Sequence, residues 1–457
     1  MASLLPKFAP LKRIPSRAYS AQVAVSQKRL PSEETRLTTL DNGLSLYSVE
    51  NQSPVSRVVI VTKAGSRYET GPELGASHLV RCMAGLRTKN STSFGITRNV
   101  EWVGGNISAA ATRDHLIYTL ECNRDYVAST INFLNDVVFA PTFKHWQIDD
   151  IMPKLNRELA VFQQNQGALL MEALHQASFR GGLANSLFVH PSMIGKLKSD
   201  ILTNFHKDNV TGPRTVVSAV GVDHERLVHI YKKCEHIGRS STDDGKPSRF
   251  NPHGGEVRVD FAAPNTMVAL AMESSGLAKP QDALTMEVLK HVLGMSKARV
   301  PFSELGATRL GKAVLATKPA NPFSIGAFTA NYSDTGLFGI ALAANNNDIA
   351  VVSKAAIGAV RDLGKGNISA SELEAAKNKA KYAIAKRVSK NTKTARNTAI
   401  QHLTQGGPQS YEKSISMIDA ITSADIANVT QKMSRVKPSM AAVGKTYNVP
   451  HLDELLQ

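Results

Sequence analysis

Cysteine is scarce in this chain, with three residues among 457: Cys82, Cys122 and Cys234. They lie far apart and form no C-x-x-C pair, which argues against a disulfide framework and fits a reducing compartment. The sequence also has no C-x-x-C-H haem-attachment motif and no cysteines spaced for an iron–sulfur cluster. We therefore expect the chain to carry no cofactor, and any redox centres that it serves to lie in other proteins.

Long hydrophobic runs are missing as well. The longest apolar stretches, such as "VVIV" (58–61) and "IALAA" (340–344), have the length of strands, far short of the roughly 18 apolar residues that span a bilayer. Any association with a membrane is therefore expected to be peripheral, through partners or the surface. The net charge is +16, but the basic residues are scattered, so the sequence gives little support to nucleic-acid binding.

Acidic residues are absent from the first 32 positions, which contain six Lys and Arg and are rich in Ser and Ala. This composition is typical of a mitochondrial transit peptide, and the apolar core of a secretory signal is missing. The stretch "SRAYSA" (16–21) has the Arg-x-Tyr-Ser form of matrix-processing sites, so we expect a cut after Tyr19. We interpret residues 1–35 as transit peptide and leader; a basic tail without a targeting role is the alternative.

What the sequence does contain is a repeated order of strand and helix patterns. "AAATRDHLIYT" (109–119) is similar to "ANYSDTGLFGI" (330–340), 221 residues later, and both predict hairpins with polar turns. "SAVG" (218–221) matches "AAVG" (441–444), 223 residues later. Near-equal offsets indicate two halves of similar design, with chance similarity among common strand patterns as the alternative.

The length of the chain also favours more than one domain. Between the two repeats, residues 239–256 are polar and rich in Ser, Pro and Gly, as is typical of a linker. We predict an N-terminal α+β domain at 36–236, a linker at 237–252 and a C-terminal α+β domain at 253–457.

Several segments together resemble the pitrilysin/insulinase-type family. They are the "LDNGL" hairpin (40–44), "KAGSRYE" (63–69) before a G-x-x-H helix, and "YSDTGLFGI" (332–340). The similarity runs in dispersed blocks from about residue 36 to the C-terminus. It implies an α+β fold of two homologous domains, the LuxS/metalloenzyme-like mitochondrial processing peptidase fold, with mixed or antiparallel sheets and helices on one face.

Within this family the blocks are most similar to the non-catalytic core subunits of the mitochondrial cytochrome bc1 complex, respiratory complex III. That resemblance implies a structural subunit that supports assembly and stability on the matrix side of the inner membrane. It also implies a set of partners: core protein 1, cytochrome b, cytochrome c1, the Rieske iron–sulfur subunit and the small subunits of the complex.

A non-catalytic, presequence-binding partner of a mitochondrial processing peptidase is the alternative function. Presequence-binding relatives carry a glycine-rich loop where this chain has "HVLGMSKARVPFSELG" (291–306), whose only glycines are Gly294 and Gly306. The basic charge balance also counts against a cavity for basic presequences.

The stretch "LGASHLVRCMAG" (74–85) carries what corresponds to the active site of the family. In active members, two His and a Glu bind zinc, and a helix Glu is the base that activates zinc-bound water. By resemblance, His78 stands at the first His position, Arg81 at the base and Cys82 at the second His. The third ligand position aligns best with Gln163, although a small gap would bring Glu158 there.

Physical chemistry alone leaves a metal site open at this helix. His78 and Cys82 stand at i and i+4, so they share a helix face, and a thiolate is a good zinc ligand. Arg81, however, would place a fixed positive charge beside a metal ion and cannot act as a base. We expect a packed helix face and assign no catalytic, cofactor-binding or metal-binding residue. An active zinc endopeptidase is the third hypothesis.

The other histidines are weaker candidates. His175 falls on a helix face, where a structural role is expected. His229, Cys234 and His236 have no regular ligand spacing, so a surface or linker setting is predicted for them.

Overall fold

The computed structural model describes residues 34–234, 237–238, 253–294, 308–364, 368–434 and 436–456. Residues 1–33 of the predicted transit peptide and leader (1–35), most of the predicted linker, His236 and Gly306 lie outside the described residues.

The N-terminal half contains a six-stranded mixed sheet in the order β1-β2-β6-β3-β5-β4. The strands are β1 (Glu34–Thr39), β2 (Ser45–Glu50), β3 (Val55–Thr62), β4 (Asn106–Ala111), β5 (Leu116–Asn123) and β6 (Thr215–Val220). Only the contact of β2 with β6 is parallel among these pairs. The predicted hairpins β1–β2 and β4–β5 are both present.

Seven α-helices accompany this sheet in the described part of the half. They are α1 (Ala76–Cys82), α2 (Ser93–Trp102), α3 (Val127–Phe139), α4 (His145–Gln164), α5 (Gln166–Ser178), α6 (Ser199–Asn209) and α7 (His224–Lys232). The helices α4 and α5 follow each other directly, separated only by Asn165. Its side chain accepts a hydrogen bond from the backbone N–H of Ala168 and so caps α5.

The C-terminal half contains a five-stranded sheet in the order β7-β11-β8-β10-β9. The strands are β7 (Glu256–Asp260), β8 (Asn265–Ser275), β9 (Ser324–Asn331), β10 (Thr335–Asn345) and β11 (Ser439–Gly444). The described helices are α8 (Pro280–Leu293), α9 (Arg309–Leu315), α10 (Ile349–Gly364), α11 (Ala370–Val388), α12 (Asn391–Gln405), α13 (Tyr411–Asp419), α14 (Ser423–Ser434) and α15 (Leu452–Leu456).

Five strands of the first sheet repeat the order of the second, and β1 is an additional edge strand of the first. "SAVG" lies at the end of β6 and "AAVG" at the end of β11. Each of these two strands has a parallel neighbour on one side, β2 or β7, and an antiparallel neighbour on the other, β3 or β8. The hairpins β4–β5 and β9–β10 follow at the same edge of their sheets.

One helix of each half packs against the sheet of the other half. Side chains alternate along a strand, so Val58 and Ile60 of β3 face the helices of their own half, and Val59 and Val61 face the opposite side. That opposite face packs against α12, a helix of the C-terminal half, through Ala395 and Ala399. Reciprocally, α5 packs on the corresponding face of the second sheet, with these residues in one apolar cluster: Leu170, Ala173, Leu174, Ala269, Ala271, Ala441 and Val443.

The start of the predicted linker differs from the structure. Ile237 is buried in the core of the N-terminal half, and Gly238 forms a parallel bridge with Thr211. These two residues therefore belong to the N-terminal half, because an apolar side chain and a backbone pairing hold them there. The other predicted domain bounds stay predictions. No helix among the described residues is long and apolar enough to cross a bilayer.

Candidate functional site

The short helix α1 is held at its start by a buried carboxylate. Glu69 accepts hydrogen bonds from the backbone N–H groups of Gly75 and Ser77, both at 2.8 Å, and from the Ser77 hydroxyl at 2.5 Å. Burial raises the pKa of Glu69 to about 7, although these hydrogen bonds oppose it. Gly75 has φ +93°, and a Cβ there would lie 2.4 Å from Val189, so the entry to α1 requires glycine.

One face of α1 meets α4 at a cluster of three groups that could bind metal. The side chains of His78, Cys82 and Glu158 place their donor atoms within 4.8 Å of one another. His78 Nε2 lies 3.1 Å from Glu158 Oε2, and Cys82 Sγ lies 3.6 Å from the same oxygen. The alignment of Gln163 with this position is therefore wrong, since Gln163 is exposed on α4 and Glu158 occupies the place.

Arg81, which directly precedes Cys82 on α1, enters the same cluster. Its Nη2 donates a hydrogen bond to Glu158 Oε2 and lies 3.3 Å from Cys82 Sγ. The side chain of Arg81 is 22% exposed, so the cluster has one side open to solvent. A positive charge thus already sits against the carboxylate that would have to bind a metal ion.

The hydrogen bonds of His78 fix the position of its proton. The backbone N–H of Val189 donates to His78 Nδ1 at 3.2 Å, so Nδ1 supplies a lone pair. In the neutral ring the proton then lies on Nε2, which donates it to Glu158. Burial lowers the pKa of His78, against the opposing effect of Glu158, and favours this neutral ring.

The acids of the cluster have opposite protonation states. Burial raises the pKa of Cys82 to about 11, so the side chain is a thiol at neutral pH. Burial also acts to raise the pKa of Glu158, but the hydrogen bonds from His78 and Arg81 outweigh it and hold this pKa below its ordinary value. The cluster is therefore an ion pair of Glu158 with Arg81, flanked by a neutral imidazole and a thiol.

This arrangement does not fit a zinc ion. Zinc needs an imidazole lone pair, a thiolate and a free carboxylate oxygen. Here the backbone N–H of Val189 takes up the lone pair of His78 Nδ1, so the proton of the neutral ring lies on Nε2, and the carboxylate oxygen accepts from Arg81. In addition, the position of the family's base holds an arginine, which cannot accept a proton from water.

The remaining histidines predicted from the sequence lie elsewhere. His175 on α5 is buried, with Nδ1 2.6 Å from the carbonyl oxygen of Met171 and Nε2 2.5 Å from the hydroxyl of Tyr332. Burial lowers the pKa of His175 to about 3, so it is neutral and links the two halves. His229 is exposed on α7 and Cys234 is partly buried after it.

Sequence reasoning missed a buried ionic contact between the halves. Arg67 donates to both carboxylate oxygens of Asp334, at 2.7 and 2.6 Å, and to Asp114 at 3.3 Å. Asp114 in turn accepts from the backbone N–H of Ser333 at 2.9 Å. Asp114 and Asp334 stand in the turns of the two repeated hairpins. The sequence signal that could have indicated this contact is an aspartate in the turn of each repeated hairpin.

Sequence reasoning also missed a second buried carboxylate, between α8 and α11. Glu287 lies 2.5 Å from Lys290 Nζ, 3.4 Å from Arg387 Nη2 and 3.6 Å from His291 Nε2. Burial would raise the pKa of Glu287, but the neighbouring His291, Lys290 and Arg387 lower it to about 2. In the repeated order of elements, this contact corresponds to that of α1 with α4.

Comparison with known proteins shows which protein family the chain matches. Residues 46–190 match the family model described as "Insulinase (Peptidase family M16)". Residues 196–380 match the model described as "Peptidase M16 inactive domain". These matches confirm the predicted resemblance and the α+β fold of two similar halves.

Full-length relatives are also found. The chain is 35% identical over 448 residues to "Cytochrome b-c1 complex subunit 2, mitochondrial" of Homo sapiens, covering 96% of this chain and 98% of the human protein. It is 33% identical over 449 residues to the protein of the same name in Rattus norvegicus, with the same coverage. It is 31% identical over 435 residues to "Mitochondrial-processing peptidase subunit alpha" of Solanum tuberosum, covering 92% of this chain and 84% of the potato protein.

Proposed function

The chain belongs to the insulinase family, peptidase family M16, and from this premise we propose that it is a structural core subunit of mitochondrial respiratory complex III, ubiquinol–cytochrome c reductase. The observation that carries the proposal is the similarity to mammalian subunit 2 of the cytochrome b-c1 complex along nearly the whole length of both chains. In this role the chain supports the assembly and stability of the complex.

We propose further that the chain is a degenerate zinc peptidase without catalytic activity. The geometry of α1 and α4 supports this, because Arg81 stands in place of the base and contacts the carboxylate of Glu158. The match of residues 196–380 to an inactive domain agrees with it. The expected redox centres lie in other subunits.

The proposed location is the matrix side of the mitochondrial inner membrane, as a peripheral subunit. The acid-free, basic N-terminal segment supports import, and cleavage after Tyr19 stays a prediction. The proposed partners are core protein 1, cytochrome b, cytochrome c1, the Rieske iron–sulfur subunit and the small subunits. Two large domains supply the wide faces that permanent assemblies need, where interfaces often exceed about 2,000 Å².

Co-purification tests this assignment. The full chain with an affinity tag is isolated from mitochondria in a mild detergent, and its partners are identified by mass spectrometry and by haem absorbance. Recovery of cytochromes b and c1 in stoichiometric amounts is expected. Recovery of a soluble processing peptidase without the cytochromes would contradict the proposal. Mitochondria with the untagged chain serve as the control.

The second candidate is a presequence-binding partner of a processing peptidase, which the similarity to the potato alpha subunit favours. It predicts that the isolated chain binds a basic presequence peptide and stimulates cleavage by a catalytic partner.

A cleavage assay on the purified complex III tests the hypothesis of an active zinc peptidase. A Glu158→Gln variant should leave any residual peptide cleavage unchanged if the chain is non-catalytic, and should abolish it if the chain is a zinc peptidase.

A further inference from the structure

Three side chains on one face of α1, at positions i, i+3 and i+4, converge on a single oxygen atom. Glu158 Oε2 is contacted by Nε2 of His78, by Nη2 of Arg81 and by the sulfur of Cys82. All three groups present a hydrogen toward that oxygen, because His78 Nδ1 accepts from Val189 and Cys82 Sγ lies 3.6 Å from the oxygen in the geometry of a donor. The carboxylate therefore meets hydrogen-bond donors, one of them cationic, and no competing lone pair.

The helix that carries these donors needs such a contact. α1 has seven residues, and isolated helices shorter than about 12 residues are marginal in water. Its start is held by Glu69 and its opposite end by the cluster with Glu158; Lys154 of α4 adds a hydrogen bond from Nζ to the carbonyl oxygen of Cys82 at 3.3 Å. The contact of α1 with α4 thus has a polar part beside its apolar one, and in the polar part the charge of Glu158 is neutralised.

We propose that the guanidinium group of Arg81 is a built-in cation that replaces a metal ion at this contact. In a zinc site a dication would neutralise the carboxylate and join the two helices through lone-pair donors. Here a planar, permanently charged group does both through hydrogen bonds, and the tautomer of His78 matches a hydrogen-bond donor instead of a metal ligand. The contact of α1 with α4 consequently needs no metal supply. The inference concerns this cluster alone and stands apart from the assembly into complex III.

Chemical rescue gives a direct test. Arg81→Ala removes the cation and leaves a cavity that reaches solvent, because the side chain of Arg81 is 22% exposed and that of Glu158 is 26% exposed. The thermal midpoint Tm of the purified full chain should fall by several degrees. Guanidinium chloride at low millimolar concentration should restore a large part of the loss in the Ala variant, while lowering the Tm of the unchanged chain slightly or not at all.

The matched control is Arg81→Ala combined with Glu158→Gln, which has no carboxylate to pair and should show no rescue. Zinc chloride is the competing probe. If zinc raises the Tm of the Ala variant more than guanidinium does, the cluster is a metal site blocked by Arg81, and the proposal is wrong. An unchanged Tm in Arg81→Ala would overturn it as well. A chelator should leave the Tm of the unchanged chain where it is.

A double-mutant cycle covers the case in which Arg81→Ala yields no folded chain. Arg81→Gln and Glu158→Gln keep the shape of the pair and remove one charge each; the double variant makes a neutral amide pair. The drop in Tm of the double variant should be clearly smaller than the sum of the two single drops. Additive drops would contradict a direct role of the charge pair.

Discussion

Each half has a carboxylate neutralised by a cation at a corresponding helix contact, α1 with α4 in one half and α8 with α11 in the other. The helix that carries the carboxylate in one half corresponds to the helix that supplies an arginine in the other. In the N-terminal half the carboxylate, Glu158, lies on the long helix α4, and the cation comes from the short helix α1. In the C-terminal half the carboxylate, Glu287, lies on α8, the helix corresponding to α1, and Arg387 of the long helix α11 reaches it. Both contacts thus place a neutralised carboxylate between two helices, and in the C-terminal half Lys290 of α8 itself also pairs with it.

The clusters also differ in burial. The side chain of Glu287 is 10% exposed and has two Lys/Arg partners, whereas Glu158 is 26% exposed and has Arg81. Their electrostatic contributions should differ accordingly. A group of His, Cys and Glu that resembles a metal site is therefore, in this fold, one version of a helix contact that recurs in the other half without a cysteine.

The largest loss of stability is expected where a helix of one half packs on the sheet of the other, because a substitution there affects both halves. Leu174 on α5 is fully buried against the second sheet, so Leu174→Ala should lower the free energy of unfolding by about 2–5 kcal/mol. Hydrogen exchange should rise in peptides of β8 and β11, although the substituted residue belongs to the N-terminal half. Val161→Ala, at a 63% exposed site, is the control and should change stability by less than about 0.5 kcal/mol. Exchange confined to the N-terminal half would contradict the prediction.

The next largest loss of stability is expected at Glu287, the more buried of the two carboxylates. The pKa of Glu287 is about 2 in the folded chain, against an ordinary value of 4.5. Its stabilising contribution is therefore present above about pH 4.5 and is lost as the pH falls toward 2. Glu287→Gln should cost about 3 kcal/mol at pH 7 and flatten the decline in stability on the acid side.

Urea unfolding at pH 7 and at several acidic pH values measures this dependence. Glu158→Gln, the matched variant in the other cluster, should give the same sign with a smaller amplitude, because its carboxylate is more exposed. Equal acid profiles for Glu287→Gln and the unchanged chain would show that the charge of Glu287 contributes no stability, and equal amplitudes for the two Gln variants would show that their difference in burial has no energetic consequence.

A smaller effect is expected at the ionic contact that joins the halves. Asp334→Ala removes both hydrogen bonds of Arg67 to that residue, but Asp114 remains 3.3 Å away as a partner. We expect a loss of about 2 kcal/mol, below the roughly 3–5 kcal/mol of a fully orphaned buried charge. Asp334→Asn keeps one acceptor and should lose less. A loss above 5 kcal/mol in denaturant unfolding would mean that Asp114 does not support Arg67.

The smallest loss of stability is expected at an ion pair on the surface, between Arg124 and Glu50. Arg124 makes two hydrogen bonds to Glu50, at 2.7 and 2.9 Å, and both side chains are about a third exposed. Solvent screens such a pair, so Arg124→Ala should cost about 0.5 kcal/mol. Added salt should reduce the effect further. A cost comparable to that of Glu287→Gln would remove the distinction between buried and surface ion pairs.

Local patterns predicted much of the fold. Alternation and turn residues indicated both hairpins of the N-terminal half, and the offset of "SAVG" from "AAVG" indicated the repeat that β6 and β11 now display. The position of α5 and α12 on the opposite half was not predictable in this way. An apolar helix face indicates that the helix is buried, but it carries no information about which sheet covers it.

The candidate site shows a similar limit. His78, Arg81 and Cys82 follow directly from helical spacing, since they lie within one turn of α1. The choice between Glu158 and Gln163 does not, because five residues correspond to a rotation of about 140° around α4. Only the packing of α4 on α1 decides which of the two faces the cluster. The contact of Glu287 with Arg387 joins positions 100 residues apart, and no local pattern relates them.

The exchange of α5 and α12 between the halves also sets the order in which the chain can reach its final structure during synthesis. The outer face of the first sheet is completed by Ala395 and Ala399, which the ribosome adds after almost the whole chain. The first half therefore cannot finish folding as an early, independent unit, and apolar strand surface stays uncovered until late. Such long-range pairing slows folding and exposes the nascent chain to aggregation.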